Sequence, residues 1–145
     1  MKISEWIAQH QDAIVTVPPE ASLREVMERL LQENCLRDVY VAGHDGRLLG
    51  HISRRRIVVH FLAEHRPAHT RRQLMERVAG GTAADFMNSI IASASPDEEL
   101  EDVLHRQLEM EIEDMPVIDA DGRALGAVNL TRVLQAYMQE SVAPS

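Results

Sequence analysis

Apolar positions in this chain fall into short extended runs and helical stripes, and the succession of runs and stripes is written twice. Ile14 to Val17 is an apolar run stopped by Pro18-Pro19, which predicts a strand. Ser22-Leu23-Arg24-Glu25 is a capping box, and Leu23, Val26, Met27, Leu30 and Leu31 form one helical face behind it. Asp38 to Ala42 alternates as a strand, His44-Asp45-Gly46 supplies a turn, and Arg47 to Ile52 is the returning partner. Ser53 stands where it caps a further helix. The second pass predicts strand Ile90 to Ala94, a helix from about Glu98 to Met110, strand Met115 to Asp119, a turn at Asp121-Gly122 and strand Ala124 to Val128. Asn129 then caps the last helix.

The two passes keep a constant spacing. Asp45-Gly46-Arg47-Leu48-Leu49-Gly50 returns 76 residues later as Asp121-Gly122-Arg123-Ala124-Leu125-Gly126, and Ile57, Val58, Phe61 and Leu62 return as Val133, Leu134, Tyr137 and Met138. Leu23, Val26, Met27 and Leu31 return at an offset of 77 as Leu100, Val103, Leu104 and Leu108, so one residue of length changes between Leu31 and Asp38. Such a repeat marks one structural unit used twice. Each copy reads as βαββα, and the fold class is α+β. Trp6-Ile7 and Phe86-Met87 give each copy an apolar lead-in helix, and the segment between Pro67 and Gly80-Gly81 reads as a linker helix. The chain divides into a first repeat with its lead-in helix (1–66), a linker helix (67–81) and a second repeat (82–145). A unit of roughly 60 residues buries only about 60% of its unfolded surface and is marginal alone. The two copies are therefore expected to pack sheet to sheet about a pseudo-two-fold axis, with matching clefts between them, the kind of concavity that ligands fill.

Composition narrows the function. A chain of 145 residues has no room for a multi-domain enzyme, and 45% hydrophobic with 26% charged residues predicts a globular fold. Aromatic residues make up 3% and the net charge is -8, which speaks against base stacking and against general binding to nucleic acid or anionic membranes. The single Cys35 excludes an internal disulfide and fits a reducing compartment. No stretch approaches the ~18 apolar residues of a membrane span, so a soluble, cytoplasmic protein is expected. Cys35 lacks a neighbouring histidine to activate it and reads as a buried thiol, while Pro67 interrupts the spacing of His65 and His69. No Gly-rich phosphate loop, nucleophile elbow or zinc-protease motif appears. Neither catalysis nor a metal site is expected.

The repeated residues resemble a known family, the tandem cystathionine β-synthase (CBS) domain pair or Bateman module. Its signature is a hydrophobic-Pro-Val-hydrophobic-Asp strand, an Asp-Gly turn, and Gly-x-hydrophobic-Ser/Thr-x-x-Asp opening the last helix. Met115-Pro116-Val117-Ile118-Asp119, Asp121-Gly122 and Gly126-Ala127-Val128-Asn129-Leu130-Thr131-Arg132 carry it in the second copy. Val39-Tyr40-Val41-Ala42 and Gly50-His51-Ile52-Ser53-Arg54-Arg55-Arg56 carry it in the first. The likeness covers nearly the whole chain. It implies a stand-alone, non-catalytic regulatory sensor with no required cofactor, which binds a small anionic ligand in the clefts between the repeats. The implied ligand is an adenine nucleotide (AMP, ADP or ATP) or a related adenosyl compound. It further implies a homodimer that signals to a protein partner. Ser53 and Asn129 take the implied phosphate-facing positions, and Arg56 and Arg132 the implied ribose positions. With Arg54, and with Tyr40, His51, Pro116 and Val128 of the matched motifs, they make up the expected ligand-binding set.

Both ribose positions hold arginine where the family holds aspartate, and a guanidinium has five donors and no acceptor for a hydroxyl proton. Two readings follow. Residues 44–72 carry seven arginines against Asp45 and Glu64, and Ser53 followed by Arg54, Arg55 and Arg56 at a helix start suits a phosphate or carboxylate. The ligand is then strongly anionic. In the alternative, the arginines fold inward as plugs of ligand-free clefts and the chain is a dimerising assembly protein. The acidic segment Asp97 to Asp114, nine carboxylates with Arg106, complements the basic segment within one chain or across two.

Overall fold

The computed structural model describes residues 1–32, 38–63, 81–89 and 91–142, with backbone alone for 60–63 and 141–142. Along these residues run α1 (Ile3–Gln9), β1 (Val15–Val17), α2 (Leu23–Gln32), β2 (Val39–Ala42), β3 (Leu48–Ile52) and α3 (Arg54–Ala63). They are followed by α4 (Ala83–Phe86), α5 (Leu100–Met110), β4 (Asp114–Ile118), β5 (Ala124–Asn129) and α6 (Leu130–Val142). The fold is α+β. The linker helix expected over 67–81 lies, but for Gly81, outside the described residues, as do Cys35, His65 and His69.

The chain forms two compact units, Val15–Ile91 and the combination of Met1–Ile14 with Ala92–Ser145. In the first unit β1 pairs parallel with β2, and β2 pairs antiparallel with β3. Val15 and Val17 point inward while Thr16 points out, the period of two that the sequence displays. They join Leu23, Val26, Leu30, Val39, Val41, Ile52 and Ile57 in one core. The helix α2 starts where Ser22 Oγ accepts the Glu25 N–H at 3.1 Å, which satisfies one of the free amides of a helix start. In the second unit β4 and β5 form an antiparallel pair, and Val103, Met115, Val117, Val128 and Val133 make the core.

The Asp-Gly turns are duplicated in detail. Gly46 and Gly122 have φ of 86° and 84°, a left-handed conformation that a Cβ would strain. Each turn is accompanied by the same shift of register, between Val41 and Ala42 and between Val117 and Ile118.

Two features depart from expectation. Residues 91–94 form no strand; Ala94 alone bridges to Val117, through Ala94 N–H to Pro116 O and Ile118 N–H to Ala94 O, both 2.9 Å. A longer parallel ladder on β4 would next draw on the N–H of residue 116, and proline has none. The first copy holds Tyr40 there, and its ladder runs from Val15 to Val17.

The lead-in helices are also exchanged. The buried residues Ile3 and Trp6 of α1 lie in the core of the second repeat. Ala83 of α4 lies in the core of the first, with Phe86 and Met87 packed against it. Asp85 fastens the start of α4 by accepting from both the N–H and the hydroxyl of Thr82 at 3.0 Å. The repeat boundaries in sequence and the compact units in space thus follow different divisions of the chain.

Candidate functional site

The openings of α3 and α6 are built alike. Ser53 Oγ accepts the backbone N–H of Arg56 at 3.0 Å, and Asn129 Oδ1 accepts that of Arg132 at 3.0 Å. Both residues therefore act as N-caps, the role their spacing predicts. Asn129 is held further by Asp114, whose Oδ1 accepts its Nδ2 at 2.8 Å. Asp114 is buried, and the amide donor compensates part of the desolvation of its carboxylate.

At the α3 opening, Arg54, Arg55 and Arg56 are all exposed. Arg56 turns its Nε onto the carbonyl oxygen of Phe86 at 2.6 Å. His51, next to this turn on β3, exchanges two backbone hydrogen bonds with Asn88, at 2.9 and 2.8 Å. Its ring lies 6.1 Å from the Tyr40 ring, and Tyr40 is buried beneath it. His51 Nδ1 is 3.5 Å from Asp38 Oδ2 but outside hydrogen-bond geometry, so the contact becomes an ion pair only when the imidazole is protonated.

At the α6 opening the equivalent arginine meets a charge. Arg132 Nη2 donates to Asp12 Oδ1 at 3.1 Å, its Nε lies 3.4 and 3.3 Å from the two carboxylate oxygens, and its Nη1 reaches Gln135 Oε1 at 3.3 Å. The hydrogen bonds that Asp12 accepts and its negative charge raise the guanidinium pKa above its ordinary value. Pro116 and Val128 are fully buried and offer backbone rather than side chain: Pro116 O accepts from Ala94, and Val128 O accepts from Gln107 Nε2 at 3.0 Å.

In the first unit Ser53, Arg54, Arg56, His51 and Tyr40 thus lie on β2, β3 and the first turn of α3. In the second, Asn129, Arg132, Val128 and Pro116 lie on β4, β5 and the first turn of α6. Both arginines, at equivalent places in the repeat, reach back to the lead-in segment packed on their unit. Two residues beside these openings escape the sequence reading. Asp12 is 120 positions from Arg132, and no pattern links them. Gln107 carries a signal, because it is a polar residue at the position where the first copy has Leu30.

Among the described residues no three His, Cys, Asp or Glu side chains gather as a metal site requires, and no helix is long and apolar enough to cross a membrane.

The CBS domain family matches the chain twice, at residues 7–63 and 83–139, and the chain belongs to that family. Solved structures agree on the fold. A CBS domain-containing protein of Thermotoga maritima superposes with a TM-score of 0.71 at 24% identity, covering 96% of this chain and 95% of that one. CBSX2, solved in complex with AMP, gives 0.69 at 23% identity, covering 91% and 92%. The cytosolic domain of the Mg2+ channel MgtE, solved in complex with ATP, gives 0.61 at 24% identity, covering 85% of this chain and 44% of that one. A search of curated protein sequences finds no significant match.

Proposed function

We propose that this chain is a non-catalytic regulatory module that binds a small anionic ligand of the adenine-nucleotide class and passes its occupancy to a protein partner. The observation that carries this reading is the α3 opening, where Arg54, Arg55 and Arg56 follow the Ser53 cap on an exposed first turn. Several guanidinium donors beside a helix start suit phosphate oxygens. Two relatives in fold that were solved with AMP and with ATP support the ligand class. Ser53, Arg54, Arg56, His51 and Tyr40 form the first half of the binding set, and Asn129, Arg132, Pro116 and Val128 the second. In this reading the protein works as a cytoplasmic homodimer and needs no cofactor.

Calorimetric titration of the full chain with AMP, ADP, ATP and adenosyl compounds tests the reading. Arg54→Ala with Arg56→Ala is expected to weaken binding by at least ten-fold, in line with hydrogen bonds to charged groups of about 1.5–3 kcal/mol. Absence of binding by every compound overturns it.

A second reading has its own observation. Arg132 rests on an internal carboxylate and Arg56 on an internal carbonyl, as expected of an assembly protein whose arginines close its sites. It requires a stable dimer that takes up none of these compounds, which sedimentation alongside the same titration distinguishes.

A further inference from the structure

We propose that the two repeats are unequal receptors: Asp12 is a resident anion on Arg132, so an anionic ligand is taken at the α3 opening and the α6 opening stays closed by the chain's own carboxylate. This inference rests on the nucleotide-binding reading and narrows it: in the wild-type chain the first half of the binding set takes the ligand and the second half is held shut.

The asymmetry lies in what each arginine touches. Arg56 spends its Nε on a neutral carbonyl, and among the described residues no carboxylate pairs with its positive charge beside Arg54 and Arg55. The α6 opening has Leu130 and Thr131 in place of that pair of arginines, and its one cation is matched by Asp12. Arg132 presents two nitrogens to the carboxylate, the forked geometry in which guanidinium binds carboxylate or phosphate.

The competitor is also well placed. The Asp12 side chain is only 18% exposed, against 46% for Arg132, so a ligand anion must strip a partner from a carboxylate already withdrawn from water. The Asp12 N–H is bound to His10 O at 2.9 Å, and the backbone of this segment runs against Gly126, where a Cβ would meet Asp12 O at 3.5 Å. Position is therefore set by the backbone and not by a chance rotamer. A group tethered in this way competes at an effective concentration of order millimolar, so a free ligand displaces it only through a correspondingly higher affinity or concentration.

Trp6, the single tryptophan, reports on the fold of this region, because it is buried in the second core and stacks on His10 with ring centroids 3.9 Å apart. The test is calorimetric titration of the full chain with AMP and with ATP. Wild type is expected to take one nucleotide per chain, and Arg56→Gln to weaken that event at least ten-fold. Asp12→Asn and Asp12→Ser, with Trp6 emission showing that α1 stays seated, are expected to raise the stoichiometry to two. Two equivalent sites in wild type, binding indifferent to Arg56→Gln, or a seated Asp12 variant that still takes one nucleotide overturns the inequality while leaving the nucleotide reading intact. No binding by wild type or either variant overturns both.

Discussion

Gln107 Nε2 donates a hydrogen bond to the carbonyl oxygen of Val128, 3.0 Å away and 21 residues further along the chain. The same amide approaches Glu113 O at 3.3 Å, so one fully buried side chain ties the end of α5 to β5 and to the residue that leads into β4. Gln107→Glu keeps the shape but turns a donor into a carboxylate facing carbonyl oxygens. The variant is expected to lose about 3–5 kcal/mol near neutral pH, as for an uncompensated buried charge. Burial raises the introduced carboxyl's pKa, and the protonated acid donates again, so the deficit shrinks as pH falls. Urea unfolding at pH 7.5 and 5 checks both statements, and equal deficits at the two pH values contradict the account.

Gly50 and Gly126 occupy the same place in the two copies and have different neighbours. A Cβ on Gly50 would sit 2.6 Å from Met87 Sδ and 2.7 Å from the backbone oxygen of Asn88, whereas on Gly126 its nearest contact is Ile7 at 3.4 Å. Gly50→Ala should cost about 1–3 kcal/mol through overpacking against backbone. Gly126→Ala stays within about 0.5 kcal/mol, as surface-like changes do. Denaturant midpoints of the two variants decide it.

Local chemistry was legible in the chain, and long-range partnership was not. The repeat located the neighbourhoods of all eleven elements because capping residues, Asp-Gly turns and apolar periodicity act over a few residues. Ser53 and Asn129 were readable as caps for that reason. The exchange of α1 and α4 was hidden, since Trp6 and Phe86 look alike in sequence and only packing decides which core takes each. The missing strand at 91–94 was readable in principle, because Pro116 removes the amide its ladder needs. What Arg56 and Arg132 touch was not, since a carbonyl at Phe86 and a carboxylate at Asp12 leave no periodic trace.

Glu98 and Arg106 form a double contact at 2.9 and 3.1 Å, and Ser95 N–H adds a third bond to Glu98 at 2.8 Å. The Arg106 hydrogen bonds hold the Glu98 carboxyl below its usual value against the opposing effect of burial. Thr82, chiefly through its N–H, does the same for Asp85. A carboxyl whose folded pKa lies below its unfolded one adds stability in full above the unfolded value and loses it as pH falls through the folded value. Glu98→Gln and Asp85→Asn should therefore each flatten the acid limb of a stability–pH curve and matter most near neutrality. The effect is modest at these solvent-screened sites. An unchanged acid limb in the double variant refutes the assignment.

Glu111 closes α5 with φ of 55°, the left-handed conformation that glycine adopts without a Cβ penalty. Its N–H caps Gln107 O and Leu108 O. Glu111→Gly keeps this backbone bond and is expected to raise stability by up to ~1 kcal/mol, the left-handed cost less the entropy of glycine. A lower melting temperature for this variant contradicts that expectation.

The exchange of lead-in helices has a consequence for synthesis. Trp6 is synthesised more than 120 residues before Val128 and Val133, members of the core that buries it. The Val15–Ile91 unit can close while the amino-terminal helix still waits with its apolar face uncovered. Nascent chains stalled before β5 should therefore be the ones that chaperones hold and proteases cut, at a point in translation set by topology and not by the stability of the finished protein.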